Sequence, residues 1–201
     1  MKLLHCLLIV MLGVTHPALA EVPDPKQAVQ QATDQLLEKL VEVKPLYEED
    51  PEAFFNAIDG ALAPFIDFDG FSRGVMAKYY RRASDEQKAR FSQTFRTALI
   101  RTYAKALIEF DNQEIIVMEP KLDPKRASRA SIGLEVHGAN NVVYPVEYTL
   151  TLKDNAWLLR NVSIEGINIG LQFRSQFASY MGKHKNNIDD VIDNWTVNGN
   201  G

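Results

Sequence analysis

Past residue 20 this 201-residue chain has no cysteine; its only one, Cys6, lies in the first apolar run. A disulfide or a thiol nucleophile is therefore excluded from the rest of the chain. Histidine is nearly as scarce, since only His137 and His184 of the 4 lie beyond residue 20. Metal binding needs several converging ligands, which two dispersed histidines do not offer. There is no Gly-rich phosphate loop, no serine nucleophile elbow and no HExxH segment. No second apolar run follows that could reach the about 20 residues needed to span a bilayer. Internal repeats and low-complexity linkers are also missing. The sequence thus asks for no catalytic residue, no metal and no cofactor.

What is present begins with "MKLLHCLLIVMLGVTHPALA". Lys2 gives a positive start, Leu3 to Val14 an apolar run, and Ala18-Leu19-Ala20 a small-x-small cleavage pattern. These predict a signal peptide over 1–20, cut before Glu21, and an exported single domain over 21–201. No lipobox-like sequence precedes the cut, so a lipid anchor is not expected.

The formal net charge of −4 hides an asymmetry. Residues 21–72 hold 3 Lys/Arg against 12 Asp/Glu, giving −9. Residues 73–105 hold 9 Lys/Arg against Asp85 and Glu86, giving +7. Such a segment is either the solvated outer face of helices or a basic face that meets an anionic membrane or an acidic protein. An exported acidic chain is a poor candidate for nucleic acid.

The front half has helical periodicity. Val29, Ala32, Leu36, Leu40 and Val43 recur at three- and four-residue steps, predicting a helix over 26–48 with a break near Lys44 before Pro45. Asp50-Pro51 caps and starts a second helix, which buries Phe54, Phe55, Ile58 and Leu62. A third is expected over 67–82. Ser84-Asp85-Glu86-Gln87 forms a capping box ahead of the longest helix. Its apolar stripe runs through Phe91, Phe95, Leu99, Tyr103 and Leu107 to Phe110.

The period changes at Gln113. "EIIVME", "ASIGLEVHG", "NVVYPVEYTLTLKD" and "AWLLRNVSI" read as four antiparallel strands, with a turn over 120–126 between the first two. Pro145 suggests an edge position or a bulge. A helix follows Gly166 to about Tyr180, and "NIDDVIDNWT" closes the chain with a further turn or two. Helices on one face of such a meander make an α+β fold.

Each candidate for chemistry has a simpler reading. Asp67-Phe68-Asp69-Gly70 resembles the start of a calcium loop but lacks the later ligands, so helix capping is favoured. His137 and His184 are expected at the surface. Glu147 would be a pocket base only with its strand flipped, and alternation favours its exposure. The abundant feature is apolar area on the sheet face and the helical stripe. It either packs into a filled core or leaves a pocket for a dry ligand, and composition does not separate the two.

"KYYRRASDEQKARFSQTFRTALIRTYAKAL" with "AWLLRNVSIEGINIGLQFRSQF" resembles the periplasmic phospholipid-binding shuttles of the bacterial lipid-asymmetry (Mla) pathway, also called toluene-tolerance proteins. The resemblance covers nearly all of 21–201. Its most specific parts are Tyr79-Tyr80 before the capped helix, the Trp157-led strand ending at Gly166, and Arg174-x-x-Phe177. Two departures are Asn161, where the family commonly has Asp, and Asn168, where it commonly has Ser. The resemblance implies a fold like that of nuclear transport factor 2, acyl tails of a glycerophospholipid held in an internal apolar pocket, and no chemistry. It also implies a periplasmic monomer moving between an outer-membrane lipoprotein complex and an inner-membrane ABC transporter's substrate-binding subunit. The alternatives are a pocket enzyme of the same cone-shaped fold and a lipid-free interaction module.

Strand alternation nominates Ile132, Leu134, Val136, Val146, Tyr148 and Leu150 as pocket lining, followed by Val162 and Ile164. The helical stripes add Phe71, Val75, Phe95, Leu99, Ile169 and Phe173. Arg81, Arg82 and Arg90 of the basic segment are the expected partner-docking residues.

Overall fold

A computed structural model describes residues 23–108, 114–138 and 142–196. The expected leader over 1–20, with Cys6 and its cut, and Phe110 lie outside these residues. Four helices come first: α1 (Pro25–Val43), α2 (Leu46–Glu49), α3 (Pro51–Leu62) and α4 (Phe68–Met76). Aspartates start three of them. Asp24, Asp50 and Asp67 accept from the amides of Lys26, Ala53 and Gly70, each satisfying a first-turn donor that has no helical partner. Pro45 sits at the expected break between α1 and α2.

Helix α4, expected over 67–82, is shorter than its periodicity predicts. Ala77 takes φ 49°, ψ −118°, a left-handed conformation that an α-helix cannot continue, and a 3-10 turn spans Ala77–Tyr79. The capping box then opens α5 (Asp85–Ile108): Gln87 N donates to Ser84 Oγ at 3.1 Å and Ser84 N to Gln87 Oε1 at 3.0 Å.

The sheet is antiparallel and has six strands rather than four: β1 (Ile115–Val117), β2 (Lys121–Asp123), β3 (Arg126–His137), β4 (Val143–Lys153), β5 (Ala156–Ile164) and β6 (Ile167–Asn168). Their order is β1-β3-β4-β5-β6, with β2 pairing the lower part of β3 beside β1. β2 lies in the stretch expected to be only a turn. β6 is a two-residue return made possible by Glu165 (φ 50°) and Gly166 (φ 80°), the two left-handed residues of a tight hairpin. The helix expected directly after Gly166 therefore starts at Ile169, as α6 (Ile169–Lys183), and α7 (Ile188–Asp193) follows. Pro145 is on an interior strand, not an edge, opposite Glu135 near the start of β4.

Helix α1 lies on the sheet. Val29 is fully buried against a cluster with Ile132, Leu150 and Trp157, and the Trp157 indole donates to Pro23 O at 2.7 Å. The loop before α4 also pairs with β5, through Leu159 N to Phe65 O and Asp67 N to Leu159 O at 2.7 and 3.0 Å. This pairing fixes where α4 begins relative to the sheet.

Candidate functional site

Three buried clusters divide the core, and the site lies where they meet. One joins α4, α5, α6 and α7 through rings such as Phe91, Phe95, Phe173 and Trp195. The second is the α1–sheet cluster, and the third joins α1, α3 and α5 through Leu40, Phe54, Ile58 and Ile100. At their junction is a cavity of about 320 Å³. Helix α5 supplies Leu99, Tyr103 and Leu107 at four-residue steps, with Ile100 and Ala104 beside them. The sheet supplies Tyr148, Leu159, Val162 and Ile164. Leu36, Leu62, Ile66, Phe71 and Ile169 complete the lining.

A bulge in β5 makes the sheet side of this cavity. Leu150 pairs with Leu159 and Thr149 with Asn161, so Arg160 is the extra residue. Without it, strict alternation would put Leu159 and Val162 on opposite faces. With it, Leu159, Val162 and Ile164 all line the cavity, while Arg160 and Asn161 line a different cleft.

The lining is apolar except for two phenols. Burial pushes the pKa of both Tyr103 and Tyr148 above the ordinary 10.0, so each stays neutral with a hydroxyl proton to donate. An apolar cavity of about 150 Å³ stays dry and takes a benzene. A cavity of about 320 Å³ holds on the order of ten methylenes, at roughly the ~30 Å³ that a water occupies. It can bind and shield an aliphatic segment, and its lining offers no acid, base or nucleophile arrangement.

Of the residues nominated by pattern, Phe71, Leu99, Tyr148, Val162, Ile164 and Ile169 line the cavity. The other eight do not. Val75, Phe95 and Phe173 are buried in the aromatic cluster, where Phe95 meets the Phe71 and Phe173 rings edge-on at 5.2 and 5.3 Å. Ile132, Leu134 and Leu150 are buried in the sheet cluster, with Val146 at its margin, and Leu150, like Val75, lines a second cleft instead. Val136, near the end of β3, is half-buried outside the lining. Periodicity places these side chains on the inward face, but most are taken up by packing within the ring and sheet clusters. The lining residues missed by pattern include Leu36, Leu62, Tyr103 and Leu107, all on apolar stripes and two of them continuing Leu99 along α5. Leu159 needed the bulge to be recognised.

The basic segment is wired inward more than its sequence suggests. Arg96 makes a bidentate pair with Asp59 of α3 at 2.6 and 2.7 Å, and that hydrogen bonding raises its pKa further. Arg101 pairs with Glu52 at 2.5 Å. Arg90, expected to dock a partner, instead grips α7 through Asp189 and Asp193 at 2.7 and 2.6 Å. Arg82 lies over the Tyr79 ring at 5.3 Å, and Arg81 is exposed. Asp67 caps α4 and Asp69 accepts from Ser92 Oγ at 2.7 Å, so both have structural work. Glu147 is exposed, whereas His137, expected in solvent, is half-buried 3.6 Å from Glu135. Among the described residues no group of three or more His, Cys, Asp or Glu could hold a metal ion, and no helix is long and apolar enough to cross a membrane.

Comparison with known proteins is consistent in one direction. The family model described as MlaC protein matches residues 30–197. Toluene tolerance protein Ttg2D of Pseudomonas putida is 43% identical over 172 residues, covering 85% of this chain and 79% of that protein. The intermembrane phospholipid transport system binding protein MlaC of Haemophilus influenzae is 30% identical over 184 residues, covering 90% of this chain and 77% of its own length. A phospholipid-binding protein from Ralstonia solanacearum, solved with a phospholipid, superposes with a TM-score of 0.76 at 22% identity, over 85% of this chain and 94% of that one. That last likeness establishes the shared fold.

Proposed function

This chain belongs to the MlaC family, and on that premise we propose that it is a periplasmic glycerophospholipid carrier that binds acyl tail in the α5–sheet cavity and does no chemistry on it. The observation that carries the reading is the cavity itself: apolar side chains from both layers, two neutral phenols, and no reactive group. The names of its relatives point the same way.

The energetics favour a carrier that hands lipid over while docked. Two acyl chains carry about 30 methylenes, each worth about 0.8 kcal/mol on leaving water. The total of about 24 kcal/mol exceeds the roughly 18–21 kcal/mol at which non-covalent affinities saturate. Lipid leaving through free water would be prohibitively slow, whereas transfer between two apolar environments nearly cancels the term. We therefore assign docking partners at both membranes, an outer-membrane lipoprotein complex and the substrate-binding subunit of an inner-membrane transporter. Arg81 and Arg82 are the docking residues retained from the basic segment. Charge reversal at both should weaken partner capture at low salt, and unchanged capture would remove them from that role.

The direct test is solvent extraction and mass spectrometry of the protein purified from a bacterial periplasm without added detergent. Glycerophospholipid in near-stoichiometric amount is expected. A preparation free of lipid would end the carrier reading and leave the pocket-enzyme and interaction-module alternatives.

A further inference from the structure

On the other side of Phe71 is a second concavity with opposite chemistry. Phe71 lines both, and the chain neighbours Leu159 and Arg160, like Ile169 and Gly170, contribute one to each. This cleft, about 290 Å³, gathers Arg129 from β3, Arg160 from β5 and Arg174 from α6, with Thr149, Thr151 and Asn161 between them. Arg129 and Arg174 are exposed and pair with no carboxylate among the described residues.

Arg160 shows that the arrangement is built. Its Nη2 donates to Gly70 O at 3.0 Å, and its Nη1 lies 3.3 Å from the buried Asp67 carboxylate. Its Nε is buried with no partner, covered by Gly70, where a Cβ would come within 2.4 Å. Only glycine there lets the guanidinium lie flat on α4. Asp67 is already shared: one oxygen caps α4 through Gly70 N, and Lys153 approaches to 4.0 Å. One carboxylate therefore stands against a cluster of arginines. Burial lowers the Arg160 pKa, and Arg73 and Arg129 lower it further against the pull of Asp67. A bound anion would relieve that excess of positive charge, and planar guanidinium groups suit the oxygens of phosphate. The rim also carries an aliphatic side chain, since Leu171 at the cleft is 57% exposed. Cations beside an exposed aliphatic side chain match the boundary between a phospholipid's headgroup and its tails.

We propose that this cleft is an oxyanion site for a phosphate group, and that its arginines and rim leucine select the phosphodiester of a phospholipid headgroup over free phosphate. The proposal rests on the carrier reading and adds a polar subsite to it. The test titrates the delipidated protein with glycerophosphorylethanolamine and, separately, with inorganic phosphate, following amide chemical shifts at Gly70, Asn161 and Gly170. The diester should bind more tightly than phosphate, and affinity should fall tenfold or more in the Arg129→Gln/Arg174→Gln double variant. Gly74→Glu is the second variant, because a Cβ at Gly74 meets nothing within 4 Å and the new carboxylate can reach the cleft without disturbing the helix. It should abolish binding while the thermal transition stays put. No shifts with the diester, tighter binding of inorganic phosphate, or equal affinity in the variants would each overturn the proposal. Lipid extraction from the same preparation separates the two ideas: copurified lipid with an unresponsive cleft refutes the subsite alone, while a responsive cleft without lipid refutes the carrier.

Discussion

Ile132 and Ile164 share a sheet face by strand register, yet substitutions at the two should be read out differently. Ile132, on the same face, is buried in the sheet cluster and lines neither concavity, so Ile132→Ala should cost about 2–5 kcal/mol in a urea melt and leave lipid per folded molecule unchanged. Ile164 is half-buried on the cavity wall. Ile164→Asp places a charge where an acyl segment would lie, and lipid phosphorus per mole should fall to near zero while folding persists. Full lipid content in Ile164→Asp would remove β5 from the site. The two phenols have a different role. Kept neutral by burial, Tyr103 and Tyr148 can donate to ester oxygens without adding charge to the cavity.

At the scale of elements, the β5–α6 junction rests on two asparagines. Asn161 Oδ1 accepts from Gly170 N at 2.9 Å, and Asn161 Nδ2 donates to Asn168 Oδ1 at 3.0 Å. Asn168 Oδ1 in turn caps α6 through Leu171 N at 2.9 Å. This geometry makes the residue types at the two positions depend on each other. An Asp at 161 has no donor, so its partner must supply one, as a serine hydroxyl does. An Asn at 161 donates, so its partner need only accept. Asn161→Asp and Asn168→Ser should thus be coupled, each single change weakening the junction and the double change recovering part of the loss. A thermal double-mutant cycle should give a favourable coupling of about 0.5–1 kcal/mol, and additive effects would refute the pairing.

The whole molecule must reconcile a small cavity with a large ligand. About 320 Å³ accommodates one aliphatic segment, well short of the about 30 methylenes of two tails. Loading must therefore part the walls, and α1 is the element able to yield, since Leu36 is a half-buried lining residue on a surface helix. The lack of cysteine past residue 20 allows a single label pair, at the exposed Gln35 and Lys105. Pulsed electron-spin distances between them should lengthen by several ångströms from delipidated to loaded protein. An unchanged distance would limit the cavity to part of one tail.

By itself the sequence determined the aspartate-capped helix starts, the capping box at Ser84, the change of period at Gln113 and the two-layer class. These depend on neighbours within a few residues, where capping and periodicity act. Family membership was legible in the Lys78–Leu107 and Ala156–Phe177 segments for the same local reason. Tertiary structure alone decided which apolar faces fill and which leave space. A pattern fixes the face a side chain takes, but a void depends on how unevenly three clusters meet. Phe95 and Leu99 look alike on one stripe; the first is sealed in the aromatic cluster and the second lines the cavity. Likewise the basic segment could be counted, but the partners that neutralise Arg101 and Arg90 lie 49 and about 100 residues away and are brought close only by packing. The β5 bulge belongs with these, because the extra residue is defined by its register against β4, and it sends Arg160 to one site and Val162 to the other.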